Sequence, residues 1–93
     1  MGQFAGPAAE VKPMAQYFFD LRSGGIFSLD EEGMELPDSE AAHDVALDAL
    51  VNAARDAVTE GSIIQRFAVE VRNGTGPVLE VGAVFHSKIF RTQ

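Results

Sequence analysis

Residues 37–61 read PDSEAAHDVALDALVNAARDAVTEG and form the longest periodic segment of the chain. Pro37 fixes the backbone just before Asp38, whose carboxylate can accept hydrogen bonds from the free amides at a helix start. Gly61 tolerates the left-handed conformation in which many helices end. The segment therefore predicts a helix from about Ser39 to Thr59.

This predicted helix carries two apolar stripes when its residues are placed at about 100° intervals. The first stripe suits packing on a sheet and consists of Ala42, Ala46, Ala49, Leu50, Ala53 and Ala57. The second, which we call the outer helical stripe, consists of Leu47, Val51, Ala54 and Val58. Large apolar groups left in water forfeit roughly 1.5 to 3 kcal/mol each relative to full burial. We therefore expect this stripe to bind a partner or to lie under the C-terminal segment Phe85–Phe90, and we favour a homodimer.

Alternating apolar and polar residues predict strands on both sides of the helix. The predicted strands are Tyr17–Arg22, Ile26–Leu29, Ile64–Arg72 and Leu79–Phe85, with a short further segment at Met34–Leu36. The order β-β-α-β-β lacks the βαβ series of a parallel sheet. It predicts an α+β fold, an antiparallel sheet of about four strands with one long helix packed on one face. The strand order 2-1-3-4 keeps every neighbouring pair antiparallel without crossing connections.

The length of 93 residues suits one domain, because a chain of this size buries roughly two-thirds of its unfolded surface. Residues 1–13 are rich in Gly, Ala and Pro without a period, so we predict a flexible tail followed by a single domain at 14–93. The sequence has no signal-peptide pattern and no run of about eighteen apolar residues, which predicts a cytoplasmic protein.

Charge and composition argue against several classes of function. Fourteen Asp and Glu against seven Lys and Arg give a net charge of −7, which repels phosphate backbones and anionic membranes. The absence of Cys removes thiolate chemistry, and His43 and His86 lie in no nucleophile motif. We therefore expect no catalytic residues, no cofactor and no metal. The alternative is an enzyme whose site is assembled from scattered residues.

Charged residues cluster in two places. The acidic cluster comprises Asp30, Glu31, Glu32, Glu35, Asp38 and Glu40. A calcium-loop frame centred on Gly33 would place Ser28 and Ser39 at positions that need carboxylates, so we interpret the cluster as a solvated turn and a helix cap. The strand charges are Asp20, Arg22, Arg66, Glu70, Arg72 and Glu80. They alternate with core residues and should share the outer sheet face, either as a solvated surface or as a recognition surface.

Four short stretches accompany the Ala-rich helix: YFFDL at 17–21, DEEG at 30–33, ELPD at 35–38 and AVEV at 68–71. In this order they resemble a family of short proteins of unknown function that is abundant in rhizobia and related alphaproteobacteria. The resemblance covers about Met14 to Val84. It implies a fold and brings no activity with it.

A fainter likeness is to HicB-like antitoxin domains, in which a small hairpin sheet precedes a Pro-Asp element and an Ala-rich helix. Leu36-Pro37-Asp38 and Ala46–Ala57 fit that pattern, whereas the Gly-Cys motif usual after the Pro-Asp is missing. This likeness implies a toxin as protein partner. The sequence as a whole favours a binding or regulatory module that acts through protein contacts, with the antitoxin-type role as the alternative.

Overall fold

A computed structural model of the protein describes residues 13–59, 64–86 and 90. The elements are β1 (Ala15–Ser23), β2 (Ile26–Ser28), β3 (Met34–Leu36), α1 (Ser39–Thr59), β4 (Ile64–Asn73) and β5 (Gly76–His86). This is the predicted α+β fold, and α1 has the predicted bounds. The short segment at Met34–Leu36 pairs with β1 and so forms a fifth strand.

The sheet is antiparallel, with the order β2-β1-β4-β5. It is the order 2-1-3-4 predicted for the four main strands. β3 pairs with β1 at Ala15–Tyr17 and β2 pairs with β1 at Leu21–Ser23. Because β4 occupies the other edge of β1, β2 and β3 follow one another along the same edge.

The hydrophobic core lies between α1 and the sheet, mainly over β4 and β5. Its buried helix residues are Ala42, Ala46, Leu50 and Ala57, and its buried strand residues are Tyr17, Phe67, Val69, Val71 and Val81. The first stripe is therefore the core stripe, as predicted. Its small alanine side chains let α1 lie close to the sheet, and Phe67, which is 3% exposed, supplies the largest core side chain of β4.

The helix start has the predicted cap. The Ala41 N–H donates to Asp38 Oδ1 at 2.9 Å, and the Ala42 N–H donates to the Asp38 carbonyl at 3.2 Å. The predicted stop at Gly61 lies outside the described residues, as does the predicted tail except for Pro13. In the part of the chain that the structure describes, no helix has the length and apolar character needed to cross a membrane.

Candidate protein-binding surface

The outer helical stripe is exposed where the structure describes it. Leu47 is 40% exposed and Val51 is 53% exposed. Ala54 is half-buried and packs against the core. Val58 belongs to α1, but its side chain lies outside the described residues. The structure thus leaves two large apolar side chains, one helical turn apart, in contact with solvent.

The C-terminal segment was the predicted internal cover for this stripe. Phe85 is half-buried and packs against the core, and Phe90 is 81% exposed. Residues 87–89 lie outside the described part of the chain. Neither described phenylalanine removes Leu47 and Val51 from solvent.

The outer helical stripe lies on the side of α1 that faces β5. Near the start of the helix, His43 and Asp44 border the same shallow depression as Leu79 of β5. On the opposite side of α1, a second depression joins Asp56 to Leu21 of β1. Leu47 and Val51 follow His43 by one and two helical turns, so they continue along the β5 side.

β5 itself forms one edge of the sheet. It is eleven residues long and pairs with β4 along one side. No strand among residues 13–59 and 64–86 pairs with its other side. Val84, near the end of this strand, is 60% exposed. A long edge strand of this kind presents free backbone donors and acceptors to another chain.

The outer face of the sheet carries the predicted row of charges. The cross-strand register aligns Asp20 with Glu70 and Glu70 with Glu80. Arg22 Nε donates to Glu70 Oε2 at 3.2 Å, and both side chains are exposed, so this pair stabilises the fold by less than about 1 kcal/mol. Within the described part of the chain, Arg66 and Glu80 make no hydrogen bond or ion pair.

Asp20 belongs to this face but is only 4% exposed. The interpretation of the strand charges as a solvated surface is therefore wrong for this residue. Its Oδ2 accepts a hydrogen bond from Arg72 Nε at 2.8 Å, and its Oδ1 accepts one from the Asp30 N–H at 2.9 Å. Arg72 Nη2 also donates to the Asp30 carbonyl at 2.9 Å. The hydrogen bond to Asp20 raises the pKa of Arg72 above its ordinary value. The buried carboxylate is thus compensated by a cation and by a main-chain donor, as buried charge requires.

Asp30 occupies the gap that β2 and β3 leave along β1. Its carboxylate accepts hydrogen bonds from the N–H groups of Phe19 at 3.0 Å, Glu32 at 3.1 Å and Gly33 at 3.2 Å. Partial burial acts to raise the pKa of Asp30. The bonds from Phe19, Gly33 and Glu32 and the charge of Arg72 outweigh it, so the pKa lies below the ordinary value of 3.8.

Gly33 closes this turn in a conformation that other residues rarely adopt, with φ at 74°. A Cβ atom at this position would lie 2.9 Å from Cε2 of Phe18. The Arg72 guanidinium lies 4.5 Å from the centroid of the same Phe18 ring. The turn at 30–33 therefore packs against Phe18 and is hydrogen-bonded to Phe19 and Arg72. Among the described residues, no group of three or more His, Cys, Asp or Glu side chains is placed to hold a metal ion.

The hydrogen-bonded set Asp20, Arg72 and Asp30 was not predicted as a unit. The sequence pattern placed Asp20 and Arg72 on one face of neighbouring strands, but it did not give the register that brings them together. The spacing of Asp30 and Gly33 was a usable signal, because an Asp three residues before a Gly is typical of a turn closed by its own side chain.

The residues 16–83 match the family described as Domain of unknown function (DUF6894). All four short stretches of the sequence resemblance fall inside this range, and so do the Asp20–Arg72–Asp30 set, α1 and the outer helical stripe. Searches of curated proteins and of solved structures give no significant match. The chain belongs to the DUF6894 family, a domain of unknown function.

Proposed function

We propose that this protein is a non-catalytic binding or regulatory module that acts through protein contacts as a homodimer. The outer helical stripe is the contact surface. The observation that carries this proposal is the exposure of Leu47 and Val51 on one side of a long, otherwise well-packed helix.

A twofold homodimer explains the stripe economically, because one apolar surface then covers its own copy. Leu47 and Val51 would each recover part of the roughly 1.5 to 3 kcal/mol that full burial provides. Ala54, next along the stripe, is small enough to let two helices approach closely. A surface of this kind on a monomer is instead a liability for non-specific association.

Two further observations support a module without catalysis. The carboxyl group with a lowered pKa, Asp30, has its oxygens occupied by main-chain N–H groups and fastens a turn. The depression that contains His43 is bordered by Glu40 and Asp44 and does not include Asp30. An acid–base enzyme would be supported by a perturbed carboxyl and a histidine that share a cavity.

The test is the oligomeric state of the wild type, Val51→Glu and Asn52→Glu by light scattering on a sizing column. The wild type should be a dimer. Val51→Glu should be a folded monomer, because two carboxylates would be desolvated near the twofold axis. Asn52→Glu adds the same carboxylate one residue away on an exposed side of α1 and should remain a dimer.

Circular dichroism of the same samples separates dissociation from unfolding. A wild type that is monomeric at high micromolar concentration contradicts the homodimer. If Val51→Glu unfolds a monomeric protein, the stripe is instead covered within the chain.

A further inference from the structure

Resting on the proposed homodimer, we infer that the two copies join through their β5 edges, antiparallel about a twofold axis beside Gly82. The sheet then continues in the order β2-β1-β4-β5-β5-β4-β1-β2, with both α1 helices on one face. This interface combines main-chain pairing of β5 with contact between the two outer helical stripes.

The lateral position of α1 is the first argument. α1 contacts β4 and β5 about equally, so its axis lies above the gap between them. A twofold axis that relates two paired β5 strands lies half a strand spacing outside β5. The helix axis is then one strand spacing, about 4.8 Å, from the twofold axis. The two helices are therefore about 10 Å apart, which is within the range of about 8 to 10 Å for packed helices.

The position of the axis along β5 follows from two depressions, one near each end of α1. His43 lines the first depression together with Leu79, near the start of β5. Ala57 lines the second together with Gln65, which pairs with Phe85 near the end of β5. Thus α1 and β5 run in the same direction. The six-residue step from Leu79 to Phe85, at about 3.3 Å per residue, has nearly the same length as the fourteen-residue step from His43 to Ala57, at about 1.5 Å per residue. Gly82, halfway between Leu79 and Phe85, is then level with residue 50 of the helix, between Leu47 and Ala54.

The charges of the outer sheet face provide an independent argument for this register. Arg66 lies directly opposite Val84 in the β4–β5 ladder. In a β5 pair centred on Gly82, Val84 in turn lies opposite Glu80 of the second copy. Arg66 of one copy and Glu80 of the second copy therefore lie on a line across the sheet, with the exposed Val84 between them. Their Cα atoms are about 10 Å apart. Their long side chains can meet above Val84.

Within one chain, Arg66 and Glu80 cannot make this contact. Glu80 lies opposite Glu70, which is four residues along β4 from Arg66, or about 13 Å. Neither side chain has an ion-pair or hydrogen-bond partner among the described residues. The twofold pairing gives both of them a partner, twice in each dimer.

Charge reversal tests the register. Arg66→Glu and Glu80→Arg should each raise the dimer dissociation constant by roughly tenfold, since like charges then face each other at two symmetric positions. The double variant Arg66→Glu/Glu80→Arg should return to near the wild-type value. Arg22→Glu changes a cation of the same face that already pairs within its own chain, and it should leave the dissociation constant unchanged.

A covalent test does not depend on the stability of these variants. Arg66→Lys keeps the positive charge and introduces an amine that a carbodiimide can join to Glu80. In a mixture of isotopically light and heavy chains, mass spectrometry should find this cross-link between a light and a heavy chain. A dimer that gives no cross-link from position 66 to Glu80 overturns the register.

The outcomes separate this inference from the proposed function. If Val51→Glu dissociates the dimer while the charge reversals have no effect, or have effects that the double variant does not rescue, the homodimer stands and β5 pairing is wrong. If the charge reversals act with rescue while Val51→Glu does not, β5 pairing stands and the stripe is not the contact. A monomeric wild type overturns both.

Discussion

The two edges of the sheet are built differently. The edge at β1 is closed by β2, β3 and the turn between them. Neither short strand pairs with Phe19, and Asp30 instead accepts a hydrogen bond from the Phe19 N–H. At the β5 edge, one side of the eleven-residue strand pairs with β4, and no described strand pairs with its other side. The ion pair of the buried Asp20 with the partly exposed Arg72 and the side-chain hydrogen bonds of Asp30 support the first edge, whereas exposed apolar groups flank the second. One edge is thus completed within the chain, and the other leaves the outer side of β5 without a strand partner among the described residues.

The two edges should also respond to different variables. Stability at the β1 edge depends on the geometry of Asp20 and Arg72 and is independent of protein concentration. In the proposed dimer, burial at the β5 edge depends on protein concentration, because it requires a second copy to bind. Substitutions at the first edge should change the free energy of unfolding without changing the dissociation constant, and substitutions at the second should do the reverse.

The largest expected effect on the free energy of unfolding comes from a change in the core beneath β4, the strand that lies between the two edges. Phe67 is buried in β4, between the two edges, so Phe67→Ala should cost roughly 3 to 5 kcal/mol of unfolding free energy and leave this small domain largely unfolded. Thermal melting followed by circular dichroism measures the loss. Phe27→Ala is the control, because Phe27 is 44% exposed on the outer face. Equal losses would show that the outer face is also covered.

An intermediate effect is expected from opening the β1 edge alone. Asp20→Asn keeps the shape of the side chain but loses the charge that Arg72 and the Asp30 N–H contact, and it should cost about 2 to 3 kcal/mol. Glu70→Gln removes an exposed partner on the same face and should cost less than about 1 kcal/mol. Urea unfolding measures both. A change in the dimer dissociation constant of Asp20→Asn would mean that the edges are coupled.

The smallest effect is a pH dependence at the same edge. Because the folded pKa of Asp30 lies below its ordinary value of 3.8, its ionised form stabilises the fold fully above about pH 5. This stabilisation is lost as pH falls through the folded pKa. The wild type should therefore lose more unfolding free energy between about pH 5 and pH 3 than Asp30→Asn does. Parallel acid dependence in the two proteins would contradict the role assigned to this carboxylate.

The strand order was predicted from a topological rule, that neighbouring strands stay antiparallel without crossing connections. Local patterns were sufficient to predict the helix and the faces of the strands. Asp38 and Gly61 predicted the two ends of α1, and alternation predicted which strand residues share a face. These signals depend on neighbouring residues alone, which is why they can be recognised in a single sequence.

The features that were not predicted depend on tertiary placement. The burial of Asp20 requires the register of β1 against β4 and the return of the turn at Asp30, neither of which a periodicity encodes. Pairing of Met34–Leu36 with β1 also arises from this return. In the outer helical stripe, Leu47 and Val51 are exposed. What covers the stripe remains a prediction, because a pattern on one chain does not identify its partner.

The hydrogen bond from the Phe19 N–H to Asp30 has a consequence for hydrogen exchange. Most amides of a sheet are protected by a neighbouring strand and exchange with deuterium only when strands separate. The Phe19 amide is protected by the Asp30 side chain. It can therefore exchange when the turn at 30–33 moves away from β1, while the β1–β4 pairing stays intact. Its exchange rate therefore reports the local opening of residues 30–33, separately from the unfolding of the sheet.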